Sequence, residues 1–307
     1  MQRSCDLNVE KGIAESFSPE TSLALWQKMC EVRYFEQGAV DAIKAGEINY
    51  QVYLSSGQEA AAASFSLCIN KYQVFAQHRA HDIFLTFGAP PEMLRDELRG
   101  LPSGCSRGRA GSNCLQYHEN GMHMYGHHGL IAENVPLGVG AALGNNKQTL
   151  CIFGDGSAEE DYVSPSLGFA ATHKLPVLFV CMDNNYSILT KTEVRRSWNM
   201  NEVAKSYGLP AVDIADDPWT VLKHTRELST QLPAFINIRV CRGYWHAGVG
   251  IDGTLEWDRF NMVKHELNEL GLADKAAKIE TSVCKKMEQI WAKEILLKPL
   301  EKQLEDI

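Results

Sequence analysis

The chain has 307 residues, 45% of them hydrophobic, enough to bury a real core in one large domain or two small ones. Acidic residues (38) outnumber basic ones (30) for a formal net charge of −8, which gives no reason to expect nucleic acid or an anionic membrane as a partner. No apolar run approaches a membrane span and MQRSCDLNVEKG has no apolar signal core, so a cytoplasmic protein is expected.

In chain order, Ser18-Pro19-Glu20 reads as a helix start, with Ser18 as N-cap and Pro19 in the first turn. Leu23, Trp26, Met29, Cys30 and Val40 form its apolar side, and Gly46 lies near its end. Gly57 to Cys68 reads as a small-residue helix, and Val74–Asp82 as a strand running into a polar turn. Leu101–Gly129 holds six glycines among Ser, Asn and His and is expected to be a long loop. VPLGVGAALG reads as a small-residue helix. Its Gly138-x-Gly140 lacks the third glycine in register and a clear preceding strand, so it is not a dinucleotide fingerprint.

Strands are expected at Thr149–Phe153 and Val177–Met182 with a helix from about Glu159 to His173 between them. Trp219–Leu228 reads as a helix and Ala234–Val240 as a strand, and a charged helical tail runs from Glu256, broken near Gly271. Alternating strands and helices predict an α/β fold, a parallel sheet flanked by helices. With no repeat and no low-complexity linker, one domain over 1–307 with a helical tail from about 256 is the simplest partition. Among nine cysteines there is no CxxC pair. Cys68, Cys151, Cys181 and Cys241 sit in apolar runs and read as core residues, and disulfides are not expected in a reducing compartment. Cys105 and Cys114 lie in the Gly-rich stretch, where an unreactive thiol is the default.

The most informative segment is GDGSAEEDYVSPSLGFAATHKLPVLFVCMDNN, Gly154 to Asn185. Asp155 follows one apolar strand, and Asp183, Asn184 and Asn185 follow the next. Parallel strands bring both loops to the carboxyl edge of the sheet, where open α/β folds bind ligands. A carboxylate and an amide oxygen there suit Mg²⁺, which is often held by one or two protein groups plus phosphates. Gly154 and Gly156 permit a sharp turn, and Gly156 and Ser157 are expected to lead into a helix N-terminus that favours anionic oxygens. The plain alternative is two unrelated surface turns; their spacing on a strand–helix–strand favours the site.

The segment resembles the thiamine diphosphate signature, GDG followed about thirty residues later by an Asn pair. With YLSSGQEA, QHRAHD, GRAGS, GLIAENVPLGVGAAL and RGYWHAG, nearly the whole chain is similar to the alpha subunit of the decarboxylating component of 2-oxo acid dehydrogenases (pyruvate, acetoin and branched-chain types). That resemblance implies a thiamine diphosphate-binding fold with helical N- and C-terminal extensions, and thiamine diphosphate with Mg²⁺ as cofactors. Asp155, Asn184 and the Tyr186 carbonyl would be metal ligands. Register from Leu175-Pro176 selects Asn184 over Asn185. Gly156 and Ser157 would line the diphosphate, Arg79 would reach it, and Ile188 would prop the bent cofactor. Gly129 and Ile131 would hold the aminopyrimidine. His78 replaces a common Tyr beside the cofactor, and His81 and His246 match family histidines, His246 in the active site. A surface-loop or capping histidine is the plain alternative for each. Asp252 and Gly253 would share the mobile loop of His246.

Several positions depart from the family. Tyr53 stands where a histidine is common, Cys114 falls near another, and Ala247 replaces a usual Ser. His118, His123, His127 and His128 are irregularly spaced and read as a polar loop at the cofactor entrance rather than a second metal site. The family's catalytic Glu comes from a beta subunit, and Glu59 in GQEA is not that residue. The chain is therefore expected to work only in a complex, an α₂β₂ heterotetramer, on a 2-oxo acid, with a lipoyl acyltransferase as acyl acceptor implied by the resemblance. Two alternatives stay open: a carboligase or transketolase-like half-enzyme, and a non-catalytic cofactor-binding scaffold.

Overall fold

The computed structural model describes residues 4–127 and 129–292; His128 and the part of the expected tail from 293 to 307 lie outside the described residues. Six parallel strands form the central sheet. They are β1 (Gln73–Phe75), β2 (His123–Tyr125), β3 (Thr149–Gly154), β4 (Val177–Asp183), β7 (Ala211–Ala215) and β8 (Ala234–Arg239), in the order β2-β1-β3-β4-β8-β7. Two short strands, β5 (Tyr186–Ser187) and β6 (Thr190–Lys191), make a separate antiparallel hairpin.

Strand sequence explains the layering. Side chains alternate across a strand, and a sheet covered on both faces needs apolar residues on each. In β4, Leu178, Val180 and Met182 join one core cluster, while Val177, Phe179 and Cys181 join the other. The first cluster lies under α1 (Pro19–Lys44), α2 (Glu59–Ser66), α3 (His81–Thr86), α4 (Pro91–Leu98), α9 (Pro218–Leu228), α10 (Arg259–Glu269) and α11 (Ala273–Ala292). The second lies under α5 (Asn134–Asn145), α6 (Val163–His173) and α8 (Met200–Ser206). A four-residue helix, α7 (Thr192–Arg195), follows the hairpin.

The expected start of α1 is found: the Thr21 N–H donates to Ser18 Oγ at 3.2 Å, and Pro19 is the first helical residue. The expected tail is α10 and α11, separated at Gly271 with φ +70°. Four expectations change. Val74–Asp82, expected as a strand running into a polar turn, keeps a strand only through Phe75 and ends in the first turn of α3, which starts at His81. The stretch expected as a loop contains β2, which pairs with β1; the flanking glycines hid a three-residue strand. Ser157–Glu159 forms a 3₁₀ turn and α6 starts only at Val163, so no α-helix N-terminus follows Gly156 directly. Cys68 is half-buried, whereas Cys151, Cys181 and Cys241 are buried; all nine cysteines are free thiols.

The connections after β1 and after β3 leave toward opposite sides of the sheet, since β2 lies beyond β1 and β4 beyond β3. Such a reversal opens a crevice at the carboxyl ends of the strands. Residues 77–79 follow β1, residues 155–157 follow β3, and residues 184–188 follow β4, so the chain order delivers all three groups to one place.

Candidate active site

A cavity of about 150 Å³ occupies that crevice. Of the twelve residues singled out in the sequence, ten line it: His78 and Arg79 from the β1 end, Ile131, then Asp155, Gly156 and Ser157, then Asn184, Tyr186 and Ile188, and His246. Larger hollows of about 250, 440 and 480 Å³ contain none of these residues. The cavity is therefore assigned by its chemistry and not by its size.

The metal end of the expected site is made of oxygen donors. Asp155 is buried at the end of β3, and its Oδ2 accepts from Arg195 Nη2 at 2.5 Å and Thr192 Oγ1 at 3.1 Å. Asn184 Oδ1 accepts from the Tyr186 N–H at 3.1 Å, an Asx turn that sets the amide's direction. Asn185 adopts φ +71° and lines a different hollow, so Asn184, not its neighbour, faces the cavity with Asp155. Among the described residues no three His, Cys, Asp or Glu cluster as a metal site. The donors here are instead one carboxylate and one amide oxygen, with Tyr186 lining the cavity beside them, and hard oxygen ligands suit Mg²⁺. At Gly156, a Cβ would lie 2.7 Å from Ser187 Cβ and Oγ, so only glycine lets the β3 turn and the hairpin close together.

The opposite wall is positive. Arg79 is buried and donates to the carbonyls of Leu54 (2.5 Å) and His246 (3.1 Å). Burial and the Arg242 charge push its pKa down to about 10. Burial, then Arg79 and Arg242, push His246 down to about 4. Burial, then Arg79 and His246, hold His78 well below the ordinary histidine value. Asp252 offsets Arg242 in this wall, and a diphosphate would relieve the remaining repulsion among its cations. On the Asp155 side the sign is opposite. Burial and Asp183 raise the Asp155 pKa, while Arg195 and Arg196 lower it.

Three lining residues escaped the sequence reading. Gln77 and Ser187 adjoin chosen positions. Arg242, in the quoted RGYWHAG, donates from Nη2 to the Ile188 carbonyl at 2.7 Å and from Nε to Asp252 at 2.5 Å, with its guanidinium 5.1 Å from the Tyr186 ring centre. An Arg two residues from an apolar strand in a motif already singled out was a usable signal. Ile188 has φ +53°, a conformation costly for a β-branched residue, and Arg242 fastens its carbonyl.

Two chosen residues lie elsewhere. His81 is fully buried and outside the cavity lining: its Nδ1 pairs with Glu36 Oε1 at 3.1 Å and its Nε2 with Ser112 Oγ at 2.8 Å. With Nδ1–H donating to the carboxylate, Nε2 accepts from the Ser112 hydroxyl, whose oxygen accepts the Tyr53 N–H at 2.8 Å. His81 thus supports Tyr53, and the Tyr53 ring packs 4.9 Å from His78 and 5.3 Å from His246 between centres. Gly129 has φ +109° and donates its N–H to His127 Nδ1 at 2.9 Å. Among the loop histidines, His127 packs 5.8 Å from His78, while His118 pairs with His123 and Tyr125.

Fold and cavity define an α/β protein with a polar pocket, oxygen donors on one side and cations on the other, at the carboxyl edge of a parallel sheet. The chain belongs to the dehydrogenase E1 component family, whose pattern matches residues 27–234. It is 30% identical over 210 residues to the pyruvate dehydrogenase E1 component subunit alpha of Rhizobium meliloti (strain 1021), covering 66% of this chain and 60% of that protein. It is 34% identical over 179 residues to the mitochondrial subunit alpha of Solanum tuberosum, covering 56% of this chain and 45% of that protein. The human mitochondrial somatic form is 32% identical over 200 residues, covering 62% and 50%. The matched segment spans about half the length of these relatives.

Proposed function

We propose that the chain is the alpha subunit of a thiamine diphosphate- and Mg²⁺-dependent 2-oxo acid dehydrogenase-type enzyme. One observation carries this reading: ten residues chosen from sequence line a single cavity with oxygen donors on one side and cations on the other. Asp155, Asn184 and the Tyr186 carbonyl would hold Mg²⁺, and Gly156, Ser157, Arg79 and Arg242 would surround the diphosphate. Ile188 would stand against the ring system, and Ile131 would lie toward the aminopyrimidine. When bound, thiamine diphosphate supplies an electron sink for breaking the bond between a substrate's carbonyl carbon and its carboxylate. His78 and His246, held neutral by burial and by the arginines, would offer N–H donors to oxygens that gain charge during that step.

Small-molecule pockets generally run about 300–1,000 Å³. This cavity, about 150 Å³, accommodates only part of a cofactor of that size. The reading therefore includes a beta subunit that completes the pocket and supplies the Glu opposite the pyrimidine, in a heterotetramer, with a lipoyl acyltransferase as acceptor and a cytoplasmic location. Among the described residues no helix is long and apolar enough to cross a membrane.

Titration of thiamine diphosphate with Mg²⁺ tests the site. Asp155→Ala should weaken binding about a hundredfold, the roughly 3 kcal/mol of a charged ligand contact; equal binding by both proteins would favour a scaffold. Adding a beta-type partner should produce CO₂ release from a 2-oxo acid, and full release by this chain alone would sink the two-subunit reading.

A further inference from the structure

Asp155 is gripped by a segment that no sequence motif marks. Thr192 Oγ1 and Arg195 Nη2 donate to the same carboxylate oxygen, Oδ2, at 3.1 and 2.5 Å. Arg195 Nη2 also donates to Thr192 Oγ1 at 3.0 Å, so the two donors brace each other. Behind them, Arg195 Nη1 lies 2.9 Å from Glu159 Oε1, and Arg196 Nη1 donates to the Asp155 main-chain carbonyl at 2.7 Å. Across the sheet edge, Arg239 Nη1 takes up Asp183 Oδ2 at 2.6 Å. The Asp155 side chain, 2% exposed, thus has one oxygen committed to protein donors.

A carboxylate can offer a cation one oxygen or two. Mg²⁺ requires near-ideal octahedral geometry with short bonds, whereas Ca²⁺ takes more ligands at longer range and accepts bidentate carboxylates. With Oδ2 held from two directions, Asp155 has only Oδ1 to give. We propose that Arg195, supported by Thr192, is a positioning residue that restricts Asp155 to one-oxygen coordination and so makes the seat select Mg²⁺ over Ca²⁺. This inference rests on the reading of Asp155 as a cation ligand. It adds that selectivity is set from α7, outside the ligand set.

The test uses the protein in the complex in which it is purified. Mg²⁺ and Ca²⁺ are each titrated by calorimetry at saturating thiamine diphosphate, for wild type, Arg195→Gln, Arg195→Lys and Thr192→Val. The preference for Mg²⁺ over Ca²⁺ should fall about tenfold in Arg195→Gln, less in Thr192→Val, and be partly restored in Arg195→Lys. A merely structural role would weaken both cations alike, and that result, or an unchanged preference in Arg195→Gln and Thr192→Val, overturns the proposal. If Arg195→Gln does not fold, Thr192→Val and Arg195→Lys decide in the same way. Failure of the wild type to bind either cation with thiamine diphosphate would instead refute Asp155 as a ligand, and the proposal with it.

Discussion

Ile188 holds a costly backbone conformation at a single exposed residue of the cavity lining. A β-branched side chain at φ +53° costs about 1–2 kcal/mol relative to an extended or helical conformation. The side chain is 56% exposed, so little packing compensates that cost. The conformation is held from outside, by the Arg242 bond to the Ile188 carbonyl and the adjoining hairpin. Ile188→Gly should therefore raise the melting temperature, by the equivalent of about 1 kcal/mol, while weakening thiamine diphosphate binding. Calorimetric melting and a cofactor titration on the same preparation check both halves. A variant that binds as well as wild type would remove the propping role from Ile188.

Helices α1 and α11 show how an apparent flaw in an element is explained by its neighbour. Gly38 sits within α1, where glycine costs roughly 1 kcal/mol relative to alanine. A Cβ at Gly38 would lie 2.1 Å from Trp291 Cδ1, and the Trp291 indole N–H donates to the Phe35 carbonyl at 3.0 Å in the same helix. Trp26 reciprocates by donating to the Ala276 carbonyl of α11 at 3.1 Å. Gly38→Ala should thus destabilise the protein by about 1–3 kcal/mol despite the better helix former, because overpacking outweighs propensity. A melting temperature equal to or above that of wild type would contradict this docking. The same locality decides what could be read from sequence. LCIF and VLFVCM are buried on both faces and announce β3 and β4 as continuous apolar runs. The three residues of β2 carry no such pattern, and their strand state comes only from pairing with β1. Asp155 was legible because its partners in the signature lie at a fixed spacing. Arg195 was not, because it meets Asp155 across 40 residues through a four-residue helix.

At the scale of the whole molecule, charge is distributed against its sum. The chain carries a net −8, yet its cavity gathers Arg79, Arg242, His78 and His246. Surface charges beyond about 8 Å are largely screened at physiological salt, so the local cations govern an anion in the crevice. Burial and the two arginines depress His246 to about 4 and His78 well below its ordinary value, leaving both neutral near pH 7. A depressed histidine contributes stability that is complete above its unfolded pKa, about 6.5, and is lost as pH falls toward the folded value. Melting temperature without ligand should therefore drop as pH falls from 6.5 toward 4. A bound diphosphate adds negative charge beside both rings, raises their pKa values and draws in protons. Binding near pH 6 should accordingly take up protons, read as a calorimetric enthalpy that changes with the buffer's ionisation enthalpy. His246→Gln should reduce that uptake, and His78→Gln should reduce it further in the double variant. A binding enthalpy independent of buffer across pH 5.5–7 would mean that the anion does not sit against these rings, and would turn the assignment of the positive wall from the diphosphate to some other ligand.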